Sequence, residues 1–249
     1  MRLVSANVNG IRAAVRRGGV EWLAAQEADV ICLQEVRATD QQLAGALGDT
    51  FQGWHLAHRP SAVRLGHAGV TILSRKPLQV TQDLGCADDE GRWVAARIGD
   101  LEIASVYVHT GQADTPAQDD KHRFLDAMGK WMEQRSPALV CGDLNVAHQQ
   151  ADIKNWRGNV GKAGFLESER AYLTQWYDDL GWVDLGRDAG FTWWSWRGKA
   201  FDNDAGWRID CVLASPDLAA ACRAFTVGRA PTYAERWSDH APVTVELEW

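Results

Sequence analysis

The stretch PAQDDKHRFLDAMGKWMEQRSPALVCGDLN, Pro116 to Asn145, decides the fold class. Its first part sets Phe124, Leu125, Met128, Trp131 and Met132 at the three- and four-residue spacing of one helical face, which predicts an amphipathic helix from Pro116 to Gln134. Ala138 to Cys141 is then an apolar run too short for a helix and bounded by polar residues, which predicts a strand. Helix delivering into strand is the step of an α/β chain. The strand stops at Gly142-Asp143-Leu144-Asn145, a polar turn.

The same alternation extends in both directions. Upstream, Arg2 to Val8 and Asp29 to Gln34 read as strands, separated by a helical pattern (Ile11, Ala14, Val15, Val20, Trp22, Leu23) broken at Gly18-Gly19. Val70 to Leu73 is a further strand, and Trp93 to Ile98 and Leu101 to Val108 form a hairpin around Gly99-Asp100. Downstream, Glu167 to Leu180 is helical through Tyr172, Leu173, Trp176 and Tyr177, and Gly181 stops it. Arg208 to Leu213 and Pro242 to Leu247 alternate as closing strands. Gln149 to Leu166 and Thr192 to Trp207 lack periodicity, and irregular segments of that length in a compact domain usually carry function. No internal repeat, linker or low-complexity tract divides the chain, so one domain over residues 1–249 is expected.

Composition narrows the class. With 249 residues, 46% of them hydrophobic, the chain can bury a sizeable core. Its apolar runs fall far short of the roughly 20 residues of a membrane span, and its N-terminal Met1-Arg2-Leu3-Val4 is strand-like rather than a leader, so a soluble, cytoplasmic, non-membrane protein is expected. Five cysteines without C-x-x-C spacing read as reduced thiols, three of them within apolar strands. A net charge of -7 argues against a broad electrostatic grip on nucleic acid, although His55 to His67 carries Arg59, Arg64 and three histidines without an acid. Residues 83–90 and Asp114 to Asp120 are acidic patches. Of thirteen tryptophans, nine lie between Trp156 and Trp249; most should be core, with about two or three free to touch a ligand.

Polar residues recur where strands end or begin. Asn7 and Asn9 follow the first strand, Gln34-Glu35 the second, Tyr107 closes the Leu101 strand, and Asp143 and Asn145 follow Ala138 to Cys141. Asp210 interrupts the start of a strand, and Ser238-Asp239-His240 precedes the last. Singly, each is an ordinary turn former or a satisfied core histidine. Together, Glu35, Asp143, Asp210 and Asp239 supply the oxygen ligands that a hard divalent cation such as Mg²⁺ takes, whereas no spacing for zinc occurs.

Six motifs in order carry a resemblance: Ser5-Ala6-Asn7-Val8-Asn9-Gly10-Ile11-Arg12, Leu33-Gln34-Glu35, Val106-Tyr107, Gly142-Asp143-Leu144-Asn145, Gly206-Trp207-Arg208-Ile209-Asp210 and Ser238-Asp239-His240-Ala241-Pro242-Val243. In these the chain resembles the exonuclease III and abasic-endonuclease family of the deoxyribonuclease I-like phosphoesterases. The resemblance implies a four-layer α/β sandwich, two packed mixed β-sheets flanked by helices. It also implies a Mg²⁺-dependent (Mn²⁺ being the alternative) DNA repair hydrolase that cuts 5′ to abasic sites and removes nucleotides or blocking groups from 3′ ends, acting as a monomer on double-stranded DNA.

Roles follow position by position from the same resemblance. Glu35 would bind the metal with Asn7 and Asp239 near it, and Asp143, Asn145 and His240 belong to the same metal and catalytic set. Asp143 would orient or deprotonate the attacking water, Asn145 hold the water or phosphate, and Tyr107 donate a hydrogen bond to that phosphate. His240, paired with Asp210, would contact the scissile phosphate; a carboxylate beside an imidazole fixes its tautomer and stabilises its cation. The general base is left open between Asp143 and His240. Trp193, Trp207 and Ile209 match an apolar pocket for a flipped-out abasic sugar, with Trp193 and Trp194 equally readable as strand-end core. Asn155, Arg157, Asn159 and Lys162 match a phosphate-contacting loop. After Tyr107, Val108-His109-Thr110 departs from the family pattern of Pro followed by Asn or Gln, and Arg37 stands where Lys is common.

Two rivals remain within reach of the sequence. One is a phosphodiesterase of the same superfamily acting on inositol phosphates or sphingomyelin, against which the Gly206 to Asp210 motif speaks. The other is a catalytically inactive nucleic-acid-binding regulator, against which the complete set of metal and histidine positions speaks.

Overall fold

Strand β1, Arg2–Asn7, sends Leu3 into one apolar cluster and Val4 and Ala6 into another. Every strand near the middle of the molecule repeats this division, because successive side chains point to opposite faces and both faces are covered. A computed structural model describes residues 1–81, 83–86 and 89–249. After β1 come α1 (Ile11–Val15), α2 (Gly19–Ala24), β2 (Val30–Gln34), α3 (Asp40–Leu47), β3 (His55–Arg59), β4 (Val70–Ser74) and β5 (Gln79–Val80). Then follow β6 (Trp93–Ile98), β7 (Leu101–Tyr107), α4 (Pro116–Met132), β8 (Ala138–Asp143), α5 (Glu167–Asp178), β9 (Val183–Asp184), β10 (Asp210–Ala214), α6 (Pro216–Ala219), β11 (Cys222–Val227) and β12 (Val243–Leu247).

The strands form two six-stranded sheets, in the orders β11-β12-β1-β2-β4-β3 and β5-β6-β7-β8-β10-β9. Each is mixed: β1 runs parallel to β2 and β7 parallel to β8, while the other pairs are antiparallel. Leu3, Cys32 and Ile72 of the first sheet face Ala96, Ile103, Leu139 and Val212 of the second. On the outside, Val4, Ile31 and Leu33 pack on Ile11, Leu23 and Leu43 of the first three helices. Val140 and Leu213 pack on Phe124, Met128, Leu173 and Trp176 of α4 and α5. Helix, sheet, sheet, helix is the four-layer arrangement expected.

The expected elements are present, including the helical break at Gly18 and the hairpin between β6 and β7. Trp93, Trp131, Trp176, Trp182, Trp194 and Trp237 are core. Cys32, Cys141, Cys211 and Cys222 are free thiols, the first three of them buried. No helix among the described residues is long and apolar enough to cross a membrane. Residues 87 and 88 of the acidic 83–90 stretch lie outside the described residues. The structure adds β3, β5, β9 and β11, edge or next-to-edge strands too short or too half-exposed to alternate cleanly, and the short α6. It also adds α3, which opens on a capping box between Thr39 and Gln42.

Sheet direction gathers the polar strand ends. Because β1 and β2 are parallel, Asn7 and Gln34 end side by side; because β7 and β8 are parallel, so do Tyr107 and Asp143. Strand β10 is antiparallel to β8, so its first residue, Asp210, pairs with Asp143, the last of β8. The turn before β12 reaches the same end, since Val243 pairs with Ser5. Gln34 crosses between sheets there, donating to Ser105 at 3.0 Å, while Ser105 donates to the carbonyl of Leu33 at 3.1 Å. Gly142 permits this closeness: a Cβ there would stand 3.1 Å from Gln34 Cδ, and 2.1 Å from the carbonyl oxygen of Val106 on the neighbouring strand.

Candidate active site

Where both sheets end, a cavity of about 260 Å³ opens to solvent. Its lining includes the polar Glu35, Tyr107, Asp143, Asn145, Asp239 and His240 and the apolar Trp193, Trp207 and Ile209. Four of the lining residues, Asn9, Glu35, Arg37 and Asn145, hold φ between 44° and 52°, a left-handed backbone that non-glycine residues keep only where surrounding structure enforces it.

A row of buried charge runs along the floor. His240 Nδ1 meets Asp210 at 2.9 and 3.1 Å, and its Nε2 lies 3.8 Å from Asp143. Burial opposes a charged imidazole, but the negative charges of Asp210 and Asp143 and the hydrogen bond to Asp210 outweigh it and push His240 up to about 10. His240 is therefore an imidazolium at neutral pH. Asp143 is pushed up to about 7, first by burial and then by Asp210 and Glu35, against the pull of His240. Its Oδ1 accepts the backbone N–H of Asn145 at 2.9 Å, and the Asn145 amide donates to the carbonyl of Val108 at 2.9 Å. Thr192 holds Asp210 from behind by accepting the backbone N–H groups of Ile209 and Asp210 at 3.1 and 3.0 Å.

Asn7 binds the first sheet to this row. Its Nδ2 donates to Glu35 at 2.8 Å and to Asp143 at 2.9 Å, so its amide nitrogen, not its oxygen, faces the two carboxylates. Its Oδ1 accepts the backbone N–H of Asn9 at 3.0 Å. Arg37 pairs with the other oxygen of Glu35. Asp239 stands apart, with Oδ1 held by Asn9 at 2.6 Å and Oδ2 by the indole N–H of Trp193 at 3.1 Å. Tyr107 is raised by burial and by the charges of Glu35 and Asp143, so its hydroxyl stays protonated and able to donate. Arg92 lies 4.8 Å from the Tyr107 ring.

Glu35, Asp143 and His240 offer ligand atoms that all lie within 4.8 Å of one another. The two carboxylates suit a divalent cation that prefers oxygen, and the protonated imidazole stands beside them. The raised Asp143 points the same way: negative charge is crowded here beyond what His240 neutralises, and a cation would relieve it. The residues therefore fit a metal, with Asn7 bonded to both carboxylates and Asp239 lining the same cavity.

The structure brings the expected pocket residues together as well. Trp193 and Trp207 meet edge to face with centroids 6.3 Å apart, and Ile209 packs with both. Trp194, by contrast, is buried beside Phe201. Asn155, Arg157, Asn159 and Lys162 do not line the cavity; they sit on a one-turn 3₁₀ segment and its exit, next to the lining residues Ala163 and Gly164. Asn159 donates to the carbonyl of Asn155 at 3.0 Å, and Arg157 lies over Trp156 at 4.7 Å. Arg208, within the same motif as Trp207, is structural. It binds Asp152 at 2.8 Å and Asp184 at 2.7 Å, tying the Gln149 segment to β9 and β10. Thr192 and Arg92 had no sequence signal, being single polar residues outside any motif.

A carboxylate-histidine centre at the shared end of two stacked mixed sheets is the arrangement of a phosphoester hydrolase. The profile of the Endonuclease/Exonuclease/phosphatase family matches residues 4–240. The chain belongs to that family. It is 33% identical to the Exodeoxyribonuclease of Bacillus subtilis over 98% of both chains. Among solved structures it is similar to an AP endonuclease from Archaeoglobus fulgidus (TM-score 0.89, 26% identity, all of both chains). It is also similar to the 3′ phosphatase NExo from Neisseria bound to a product DNA hairpin (TM-score 0.87, 29% identity, all of both chains).

Proposed function

We propose that the protein, as one nuclease domain over residues 1–249, is a Mg²⁺-dependent DNA repair hydrolase. It cuts duplex DNA 5′ to abasic sites and trims blocked 3′ ends by 3′-to-5′ exonuclease and 3′-phosphatase action; Mn²⁺ can replace Mg²⁺, and the working unit is a cytoplasmic monomer. The observation that carries this reading is one cavity lined by two kinds of group, the charged Asp143, His240 and Glu35 and the apolar Trp193, Trp207 and Ile209. A phosphate at the charged groups places the adjoining sugar against the apolar ones, and about 260 Å³ admits a sugar without its base more readily than an intact nucleotide. Relatives named as an exodeoxyribonuclease and an AP endonuclease support the same substrate.

Glu35 and Asp143 are the residues that would hold the cation, with Asp239 and the amides of Asn7 and Asn145 at its border and the protonated His240 beside it. Bound there, the cation supplies Lewis-acid polarisation of the phosphate and neutralises charge. His240, protonated, presents Nε2 to the phosphate oxygens, and Tyr107 adds a neutral O–H donor. Asp143, buried and fixed in place, is the group positioned to take a proton from water. Water oxygen bonds to phosphorus as the bond to the 3′-oxygen breaks, Asp143 takes one water proton, and the departing 3′-oxygen takes up a proton from solvent, so the products are a 5′-phosphate and a 3′-hydroxyl. Asn145 fixes Asp143 for this task through its backbone N–H.

The test is incision of a duplex carrying one tetrahydrofuran abasic analogue in Mg²⁺, beside an inositol phosphate and sphingomyelin. Incision of the duplex alone is expected, with none by Asp143→Asn, which should still bind it. Turnover of a non-DNA phosphodiester in preference to the duplex would overturn the assignment, and equal activity of Asp143→Asn would overturn the site.

A further inference from the structure

Behind the cavity, on the side away from the first sheet, lies a charge that the chemistry above does not use. Lys121 of α4 and Glu169 of α5 have fully buried side chains and meet at 2.7 Å. The remaining donors of Lys121 go to two backbone carbonyls, that of Asn145 at 2.9 Å and that of Thr110 at 3.2 Å. Both residues line the catalytic cavity, one after β8 and the other after β7. Glu169 in turn accepts from Gln118 at 2.9 Å and from the backbone N–H of Leu166 at 3.0 Å. Leu166 ends the irregular segment whose Ala163 and Gly164 line the cavity as well. Gly111 lets the β7 loop come this close, since a Cβ there would stand 2.5 Å from Gln118 Oε1 and 3.0 Å from Lys121 Cδ.

A buried ion pair joining two helices could serve stability alone, yet such a pair is poor at that, because desolvation offsets most of its attraction. What is specific here is where the ammonium's other two bonds end. Asn145 has a left-handed backbone and presents its N–H to Asp143, so a carbonyl grip on Asn145 sets the position of the catalytic carboxylate.

We propose that Lys121 is a positioning residue for phosphodiester hydrolysis: it clamps the Thr110 and Asn145 carbonyls, while Glu169 offsets the cost of burying it. This rests on the reading of the cavity as the active site. A helix-borne cation thus determines the angle at which Asp143 meets its water, without touching substrate.

The experiment compares Lys121→Met, Glu169→Gln and the double variant Lys121→Met/Glu169→Gln in Mg²⁺ on the abasic duplex. The readouts are Tm, duplex Kd and single-turnover rate. Lys121→Met leaves Glu169 buried without its partner and should lose both Tm and rate. Glu169→Gln keeps the amine and its two carbonyl partners, so Tm falls while the rate is largely retained. The double variant removes the stranded charge, so Tm recovers, but its rate stays about 10- to 100-fold below wild type, the scale of a misplacement near 1 Å, with Kd unchanged. A rate that follows Tm through all three variants, or a double variant with wild-type rate, overturns the proposal. Asp143→Asn, run in parallel, separates this from the site itself: if it is active, the active-site reading fails; if it is inactive while Lys121→Met cleaves normally, only the clamp fails.

Discussion

Asp210→Asn removes one negative charge while leaving a side chain of the same shape 2.9 to 3.1 Å from Nδ1 of His240. The raised His240 reflects burial overcome by Asp210 and, less strongly, by Asp143 at 3.8 Å. Moving from the ordinary 6.5 to about 10 corresponds to a preference for the charged ring on the order of 5 kcal/mol. With the Asp210 charge gone and Asp143 still present, His240 should fall back towards 6.5. At pH 8 the ring would then be mostly neutral, and losing a charged donor to the phosphate should cost about 10²- to 10³-fold in rate. Part of that loss should return by pH 6 as the ring reprotonates. Stability follows with a definite sign. A group raised in the folded state stabilises fully below its unfolded value and loses that contribution as pH climbs through the folded value. Wild type should therefore lose stability between pH 6.5 and about 10 from this group, and Asp210→Asn should lose much less over the same window. The assays are an NMR titration of the His240 ring in metal-free protein, urea denaturation at both ends of the window, and single-turnover incision across pH 6 to 9. A ring that still titrates near 10 in Asp210→Asn, or a rate loss that does not ease at low pH, refutes the account.

Three further outcomes are expected. Trp207→Ala should lower abasic incision far more than 3′-phosphatase activity, measured on two labelled duplexes, because it opens the wall that selects the baseless sugar; equal losses would remove Trp207 from substrate choice. Chelation with EDTA should abolish cleavage and Mg²⁺ restore it, and Glu35→Gln should raise the Mg²⁺ concentration for half-maximal rate by about 10- to 100-fold, the scale seen when metal-site ligation is weakened. Arg208→Met should destabilise by about 3 kcal/mol in urea denaturation, because it removes the buried partner of Asp152 and Asp184 and leaves them only the half-buried Arg187. A loss below about 1 kcal/mol would show that Arg187 alone suffices for both carboxylates.

Much of the fold could be read because it is written in local periodicity: α4 and β8 announce themselves in one stretch, and the hairpin at Gly99-Asp100 needs no partner to be recognised. The edge strand β3 did not, because its residues His55 to Arg59 are mostly exposed and carry the charge that made the segment look like a surface patch. The helix α3 is signalled only by Thr39 and Gln42 and by Leu43, Leu47 and Gly48, a pattern too short to show a full amphipathic face. In the site, Asp210 looked misplaced at the start of a strand until β10 proved antiparallel to β8. Asn7 reads from the sequence as a metal neighbour, and the fold makes it a brace whose amide N–H groups hold Glu35 and Asp143 together. Lys121 left no trace at all. A charged residue on an amphipathic helix is expected on the wet face, and only tertiary packing against Glu169 reveals that it is inside.

The pairing of β1 with both β2 and β12 has a consequence for how this catalyst comes into being. Asn7 ends β1 and Glu35 follows β2 in the first sheet, while Asp239 and His240 are delivered by the turn that leads into β12. Only when β12 settles beside β1 does the imidazolium reach Asp210. A centre assembled in this way is incomplete whenever that strand is undocked, so closing the first sheet and arming the site are one event.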